Sequence, residues 1–137
     1  MHNLGQNAVD KRIFRVIEKL EDQSVKEKAG KVNVPPEDEM LAISFDTGMF
    51  FNILLKATKA KRVLEVGTST GYSTLWFADA VISSSLHTRA RKPTKGRFIT
   101  TIESNHSKVQ RARKNFKDAG IDGIVNIIEG KALSVLA

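Results

Sequence analysis

Cysteine is absent from this chain, which excludes disulfides and any thiolate-bound metal. Proline is scarce, at positions 35, 36 and 93 only, so long stretches are free to form regular structure. No apolar run approaches the roughly 20 residues that a membrane-spanning helix needs. The first eleven residues, Met1 to Lys11, are polar and lack a signal-peptide core. These features lead us to expect a soluble cytoplasmic protein with no membrane partner. Negative charge is also in deficit: 22 Lys and Arg face 15 Asp and Glu, a formal net charge of +7. Such a balance favours encounters with anions, including nucleotides, CoA esters and nucleic acid. It also fits a solubilising surface, because the basic residues are spread along helix faces.

What remains is enough for one core. The chain has 137 residues, 41% of them hydrophobic, which argues against global disorder. From Asn7 to Lys28, Val9, Ile13, Phe14, Val16, Ile17 and Leu20 recur at helical spacing, with Gly30 as a stop. Val34-Pro35-Pro36 reads as an extended linker. A second helix is predicted from Thr47 to Thr58. Arg62 to Val66 is a short strand, Gly67 to Gly71 a turn of small residues, and Tyr72 to Ile82 a helix. Ser83 to Gly96 reads as a polar, basic loop. Phe98 to Ile102 forms a second strand ending at Glu103. A helix follows from Asn105 to Ala119, with Asn105 as N-cap and Gly120 as stop. Val125 to Ile128 is a third strand, and Ala132 to Leu136 begins another helix.

Two helices followed by β-α-β-α-β indicate an α/β fold with a parallel, Rossmann-like sheet. Right-handed crossovers give the strand order 3-2-1. We divide the chain into a helical segment, residues 1–34, and a sheet domain, residues 35–137. Ligands of such sheets bind beyond the carboxyl ends of the strands. Three features converge there. Glu65-Val-Gly67-Thr-Ser-Thr-Gly71-Tyr-Ser73 follows the first strand, where glycines allow close backbone approach and the next helix offers free N–H groups to an anion. Glu103 ends the second strand, where a carboxylate can accept from both hydroxyls of a ribose. Glu129-Gly130-Lys131-Ala132 follows the third, where a small residue leaves room for a base edge.

The stretches VLEVGTSTGYSTLWFA, ITTIESNHSKVQRARKNFKDAGI and VNIIEGKALSVL resemble, in order, three motifs of the caffeoyl-CoA and catechol O-methyltransferase family. FDTGMFFNILLKATKAKRVLEVG resembles the family's entry helix, and the match covers roughly residues 40–137. The resemblance implies S-adenosylmethionine as cofactor, a small hydroxylated acceptor, and a homodimer. Gly67, Thr68 and Gly71 would then form the turn around the methionine portion, with Glu65 facing the amino group and Ser73 the carboxylate. Glu103 would bind the ribose, Ala132 would border the adenine, and Ile43 would touch the cofactor from the entry segment. The family also uses a divalent metal, magnesium, held by an acidic motif after a fourth strand. The sequence stops at Ala137 before any such motif, and Asp46, Asp79, Asp118 and Asp122 are scattered. No metal ligands and no catalytic residue can be named.

Each residue also has a purely structural explanation: a tight turn for Gly67 and Gly71, a helix start for Ser73, a helix cap for Glu103. Trp76 reads as packing, and His106 as a solvated side chain without an identifiable partner. Gly67-Thr68-Ser69-Thr70-Gly71 also satisfies the G-x-S-x-G nucleophile elbow, with Ser69 as nucleophile, although no later acid and histidine are apparent. A nicotinamide-binding fingerprint fits less well, because its G-x-G-x-x-G spacing is missing. A non-catalytic module binding nucleotides or RNA through Arg89, Arg91, Lys92, Lys95 and Arg97 is the remaining alternative. The resemblance without its metal motif gives one prediction. The purified 137-residue chain should show no methyl transfer to catechol-type acceptors, with or without magnesium. Metal-dependent turnover in a radiolabelled-methyl assay would contradict it.

Overall fold

A computed structural model of the chain describes residues 9–83 and 98–137. Three parallel strands, β1 (Arg62–Val66), β2 (Phe98–Glu103) and β3 (Val125–Glu129), form one sheet in the order β1-β2-β3. That is the expected 3-2-1 arrangement. In register, Val66 lies opposite Ile102, and Glu103 opposite Glu129. The strands therefore end together, and the residues that follow them share one rim of the sheet.

The helices are α1 (Lys11–Lys28), α2 (Phe45–Ala57), α3 (Tyr72–Ser83), α4 (His106–Ala119) and the short α5 (Ala132–Val135). Ile13, Phe14, Ile17 and Leu20 recur at three- and four-residue spacing on α1, and all are buried. They join Leu75, Trp76 and Val81 of α3 and Val109, Ala112 and Phe116 of α4 in one core. Complete burial of one such side chain contributes about 1.5–3 kcal/mol. Trp76 is fully buried, with Phe45 edge-on at 5.2 Å, so its sequence reading as packing is correct. Asp79, also buried, accepts from the Asp10 N–H, from Asn52 Nδ2 and from the Lys56 ammonium. One carboxylate thus fastens the start of α1 and the middle of α2 to α3. The Arg12 guanidinium reaches across to the carbonyls of Asp118 and Lys117, adding side-chain donors where the end of α4 runs out of helical N–H groups.

Several boundaries differ from the sequence reading. Helix α1 begins at Lys11, because the Asp10 carboxylate caps it by accepting from the Arg12 and Ile13 N–H groups. Helix α2 begins at Phe45, two residues earlier than expected, capped by Ser44. Pro35 is extended as expected, at φ −54° and ψ 142°, but Pro36 opens a single 3-10 turn, Pro36–Asp38, with proline at its first position where no N–H is needed. Asn105 and Gly120 do cap α4 as expected, Gly120 with φ +73°. The basic cluster Arg89 to Arg97 lies outside the described residues.

Strand β1 carries an apolar run, Val63, Leu64 and Val66, of the kind found in strands covered on both faces, yet one of its faces is open. Val63 and Glu65 face the helices, but Leu64 and Val66 on the opposite face are 58% and 60% exposed. Among the described residues, no strand pairs with the outer edge of β1 and no helix is long and apolar enough to cross a membrane.

Gly48 lies inside α2 where that helix crosses α3. A Cβ there would sit 2.3 Å from Trp76 Nε1. Alanine gains about 1 kcal/mol of helix propensity over glycine, but overpacking a tight core costs about 1–3 kcal/mol. A rigid, fully enclosed indole has little freedom to move aside. Gly48→Ala should therefore lower Tm, whereas Gly123→Ala, whose added Cβ meets nothing, should not. Thermal melts of both variants test this, and an unchanged Tm for Gly48→Ala would show that the indole relocates.

Candidate cofactor site

The turn after β1 folds over the end of β2. The N–H groups of Gly67 and Thr68 both donate to the Ile102 carbonyl, at 2.8 and 3.2 Å. Gly67 and Gly71 each adopt φ +92°, a region that favours glycine. They differ in surroundings. A Cβ on Gly71 would meet the Phe116 ring at 2.4 Å, whereas one on Gly67 would meet nothing within 4 Å. Gly71 is thus demanded by packing against α4, while the Gly67 backbone faces open space. From behind, Asn115 Nδ2 donates to the Thr70 carbonyl, fixing the turn to α4.

Two of the expected carboxylates frame this turn in different ways. Glu65 is 9% exposed. Its Oε1 accepts from the hydroxyls of Thr74 and Thr101, and its Oε2 from Ser73. Burial pushes the Glu65 carboxyl above the usual carboxylate range; the three hydroxyls pull it back in part, and nearby Glu103 raises it again. Glu103 stands half-buried at the strand end. Its Oε2 accepts from the Ser69 N–H at 2.8 Å and its Oε1 from the Asn105 N–H at 3.0 Å. Its backbone carbonyl accepts from the Gly130 N–H, which draws the turn after β3 to the same place.

The structure therefore brings Glu65, Gly67, Thr68, Gly71, Ser73 and Glu103 together around one turn, with Ala132 opening α5 on the β3 side. Side-chain directions refine the expectations. The Thr68 hydroxyl points inward to Thr101 at 2.6 Å, so this residue can offer a ligand little beyond its backbone. The Ser73 hydroxyl is engaged by Glu65. Ile43 is half-buried and borders a cavity of about 420 Å³ together with Met40, Phe45 and Tyr72.

Two residues that the sequence singled out on other grounds have partners that it did not reveal. Ser69, at φ +48°, donates its N–H to Glu103 and accepts from the Leu41 N–H with its hydroxyl. That left-handed backbone suits a nucleophile elbow, but its hydroxyl serves the chain. His106, expected to be unpartnered, instead has Nδ1 2.8 Å from Glu129 Oε1. The pair joins residues 23 apart in sequence, which local spacing could not reveal. Among the described residues, no three His, Asp or Glu side chains gather as a metal site.

The raised Glu65 carboxyl has a consequence for stability. The folded state holds this proton more firmly than the unfolded chain, so its contribution is full in acid and is lost as pH rises through the raised value. In urea titrations, the stability of the wild type relative to Glu65→Gln should fall as pH rises from the ordinary carboxylate range towards neutrality. A constant difference would show that Glu65 titrates normally.

Residues 16–137 match the family model for O-methyltransferases. The catechol O-methyltransferase of Niastella koreensis is 35% identical over 96 residues, a match covering 70% of this chain and 38% of that protein. The caffeoyl-CoA O-methyltransferase of Medicago sativa is 33% identical over 97 residues, covering 71% of this chain and 34% of the relative. The O-methyltransferase TomG of Streptomyces achromogenes, solved in complex with S-adenosylmethionine, superposes with a TM-score of 0.64 at 28% identity, over 93% of this chain and 46% of that one. The chain thus spans less than half the length of each. With 122 consecutive residues, 16 to 137, inside the family model, the chain belongs to the O-methyltransferase family.

Proposed function

We propose that the chain supplies the S-adenosylmethionine-binding half of an O-methyltransferase that acts on a small hydroxylated acceptor. The observation that carries this reading is the Glu103 carboxylate, held at the end of β2 by N–H groups from two separate turns, beside the open backbone of Gly67. In this reading Glu103 accepts from the ribose hydroxyls. Gly67 and Gly71 shape the turn around the methionine portion, and Glu65 supplies negative charge towards its amino group. Ser73 faces its carboxylate, Ala132 borders the adenine, and Ile43 touches the cofactor from the entry segment. When bound, the cofactor supplies an electrophilic sulfonium methyl group. The chain's contribution is to hold that methyl in line for attack by the acceptor oxygen, which is catalysis by positioning. A magnesium ion is implied by the family resemblance, but the described residues do not converge on one.

We also propose that two copies associate through β1. Its outer edge has no strand partner among the described residues, and Leu64, Val66 and, on α2, Phe50 and Ile53 are exposed. Exposed apolar edges recruit other strands. Pairing about a twofold axis would produce a six-stranded sheet. Analytical ultracentrifugation at micromolar concentration should show a dimer that Leu64→Lys weakens. A single monomeric species would remove this proposal.

For the cofactor, calorimetric titration of the whole chain with S-adenosylhomocysteine is the test. Losing a hydrogen bond to a charged acceptor costs about 1.5–3 kcal/mol, so Glu103→Ala should weaken affinity tenfold or more. Equal affinity in wild type and variant would take Glu103 out of the site.

A further inference from the structure

Residues 31–41 run from the end of α1 to the start of the entry segment, passing close to the candidate site. Met40 is their only buried residue. Apolar burial alone therefore cannot fix their path, and hydrogen bonds do so instead. The Met40 N–H donates to Glu27 Oε2 at 2.7 Å, and Arg111 Nη1 donates to the Asp38 carbonyl at 2.8 Å. Asn105 Nδ2 donates to Asp38 Oδ1 at 2.8 Å and to the Glu37 carbonyl at 3.1 Å. The Leu41 N–H donates to Ser69 Oγ.

Two of these anchors belong to residues that hold Glu103. Asn105 and Ser69 give their backbone N–H groups to its two carboxylate oxygens, and their side chains grip residues 37–41. The other anchors meet at Glu27 on α1. Its Oε1 accepts from Gln23 and from Arg111 Nη2, and its side chain is 2% exposed. Burial would raise this carboxyl, but the Met40 N–H, Gln23 and the Arg111 guanidinium together hold it below the usual range. It therefore remains a buried anion, and a buried charge that loses its partner is strongly destabilising.

We propose that Glu27 and Arg111 are positioning residues for the cofactor site: through residues 38–41 they fix Asn105 and Ser69, and thereby the orientation of the Glu103 carboxylate. This rests on the cofactor reading above. Neither residue touches the site. Arg111 bridges Glu27 and the Asp38 carbonyl with two different nitrogens, a fork that lysine cannot reproduce. The clasp spans α1, the 36–38 turn, α4 and the glycine turn, so an error at one end is passed to the other through short, directional bonds.

The test is calorimetric titration of the whole chain with S-adenosylhomocysteine at a temperature well below melting, for the wild type, Glu27→Gln, Arg111→Lys and Asp38→Ala. The Gln variant preserves shape and can still accept from the Met40 N–H, while losing the ion pair. Arg111→Lys preserves charge and loses the bridge. Asp38→Ala leaves the buried pair and the Asn105 bond to the Glu37 carbonyl intact and removes only the Asn105 bond to the Asp38 carboxylate, so it remains informative should Glu27→Gln fail to fold. We expect affinity to fall about tenfold in the first two folded variants and several-fold in Asp38→Ala, together with faster exchange of the Leu41 and Asn105 amide protons. Affinities within twofold of the wild type in the folded variants, whatever their Tm, would make the clasp merely structural and overturn the proposal. No binding by the wild type would remove the cofactor reading and this proposal with it. Wild-type binding that Glu103→Ala abolishes and the clasp variants leave intact would remove this proposal alone.

Discussion

The in-register ending of three parallel strands is the constraint on which the rest depends. Because Val66, Ile102 and Ile128 lie on one line, at the end of β1 and one residue before the ends of β2 and β3, the turn after β1 can place its first N–H groups on the Ile102 carbonyl, and Gly130 can reach the Glu103 carbonyl. Those backbone bonds put three sequence-distant turns around one carboxylate. Parallel strands impose this geometry because each returns through a helix to the same end. A slip of one residue would turn Glu65 away from its hydroxyls and Ile99 out of the core.

The two carboxylates at this rim have different tasks. Glu65 is buried and saturated by three hydroxyls, which makes it a rigid internal element of the turn. Glu103 is half-exposed, and the two N–H groups that orient it leave further acceptor capacity on each oxygen.

Much of this was legible from sequence. Element order and the caps at Asn105 and Gly120 followed from periodicity and turn chemistry, which are local. The meeting of the glycine turn and Glu103 was legible because the turns of a parallel sheet gather beyond the carboxyl ends of its strands. The parts that stayed hidden depend on contacts between distant residues. Glu27 looked like one more charge on a helix face, yet it meets Arg111, 84 positions away. His106 found Glu129, and Ser69 found Leu41, for the same reason. At β1 the apolar run announces a strand, but composition does not say what lies against it, and Leu64 and Val66 are exposed.

The central claim is that the rim around Glu103 binds the nucleoside part of an S-adenosylmethionine-type ligand while the glycine turn binds its amino-acid end. Amide chemical-shift mapping during titration of the isotopically labelled chain with S-adenosylhomocysteine tests it most directly. The account predicts saturable shifts concentrated at Gly67, Ser69, Gly71, Glu103 and Gly130. Adenosine alone should reproduce those at Glu103 and Gly130, and leave Gly71 little changed. Absent shifts, or saturable shifts confined to residues away from this rim, would contradict it.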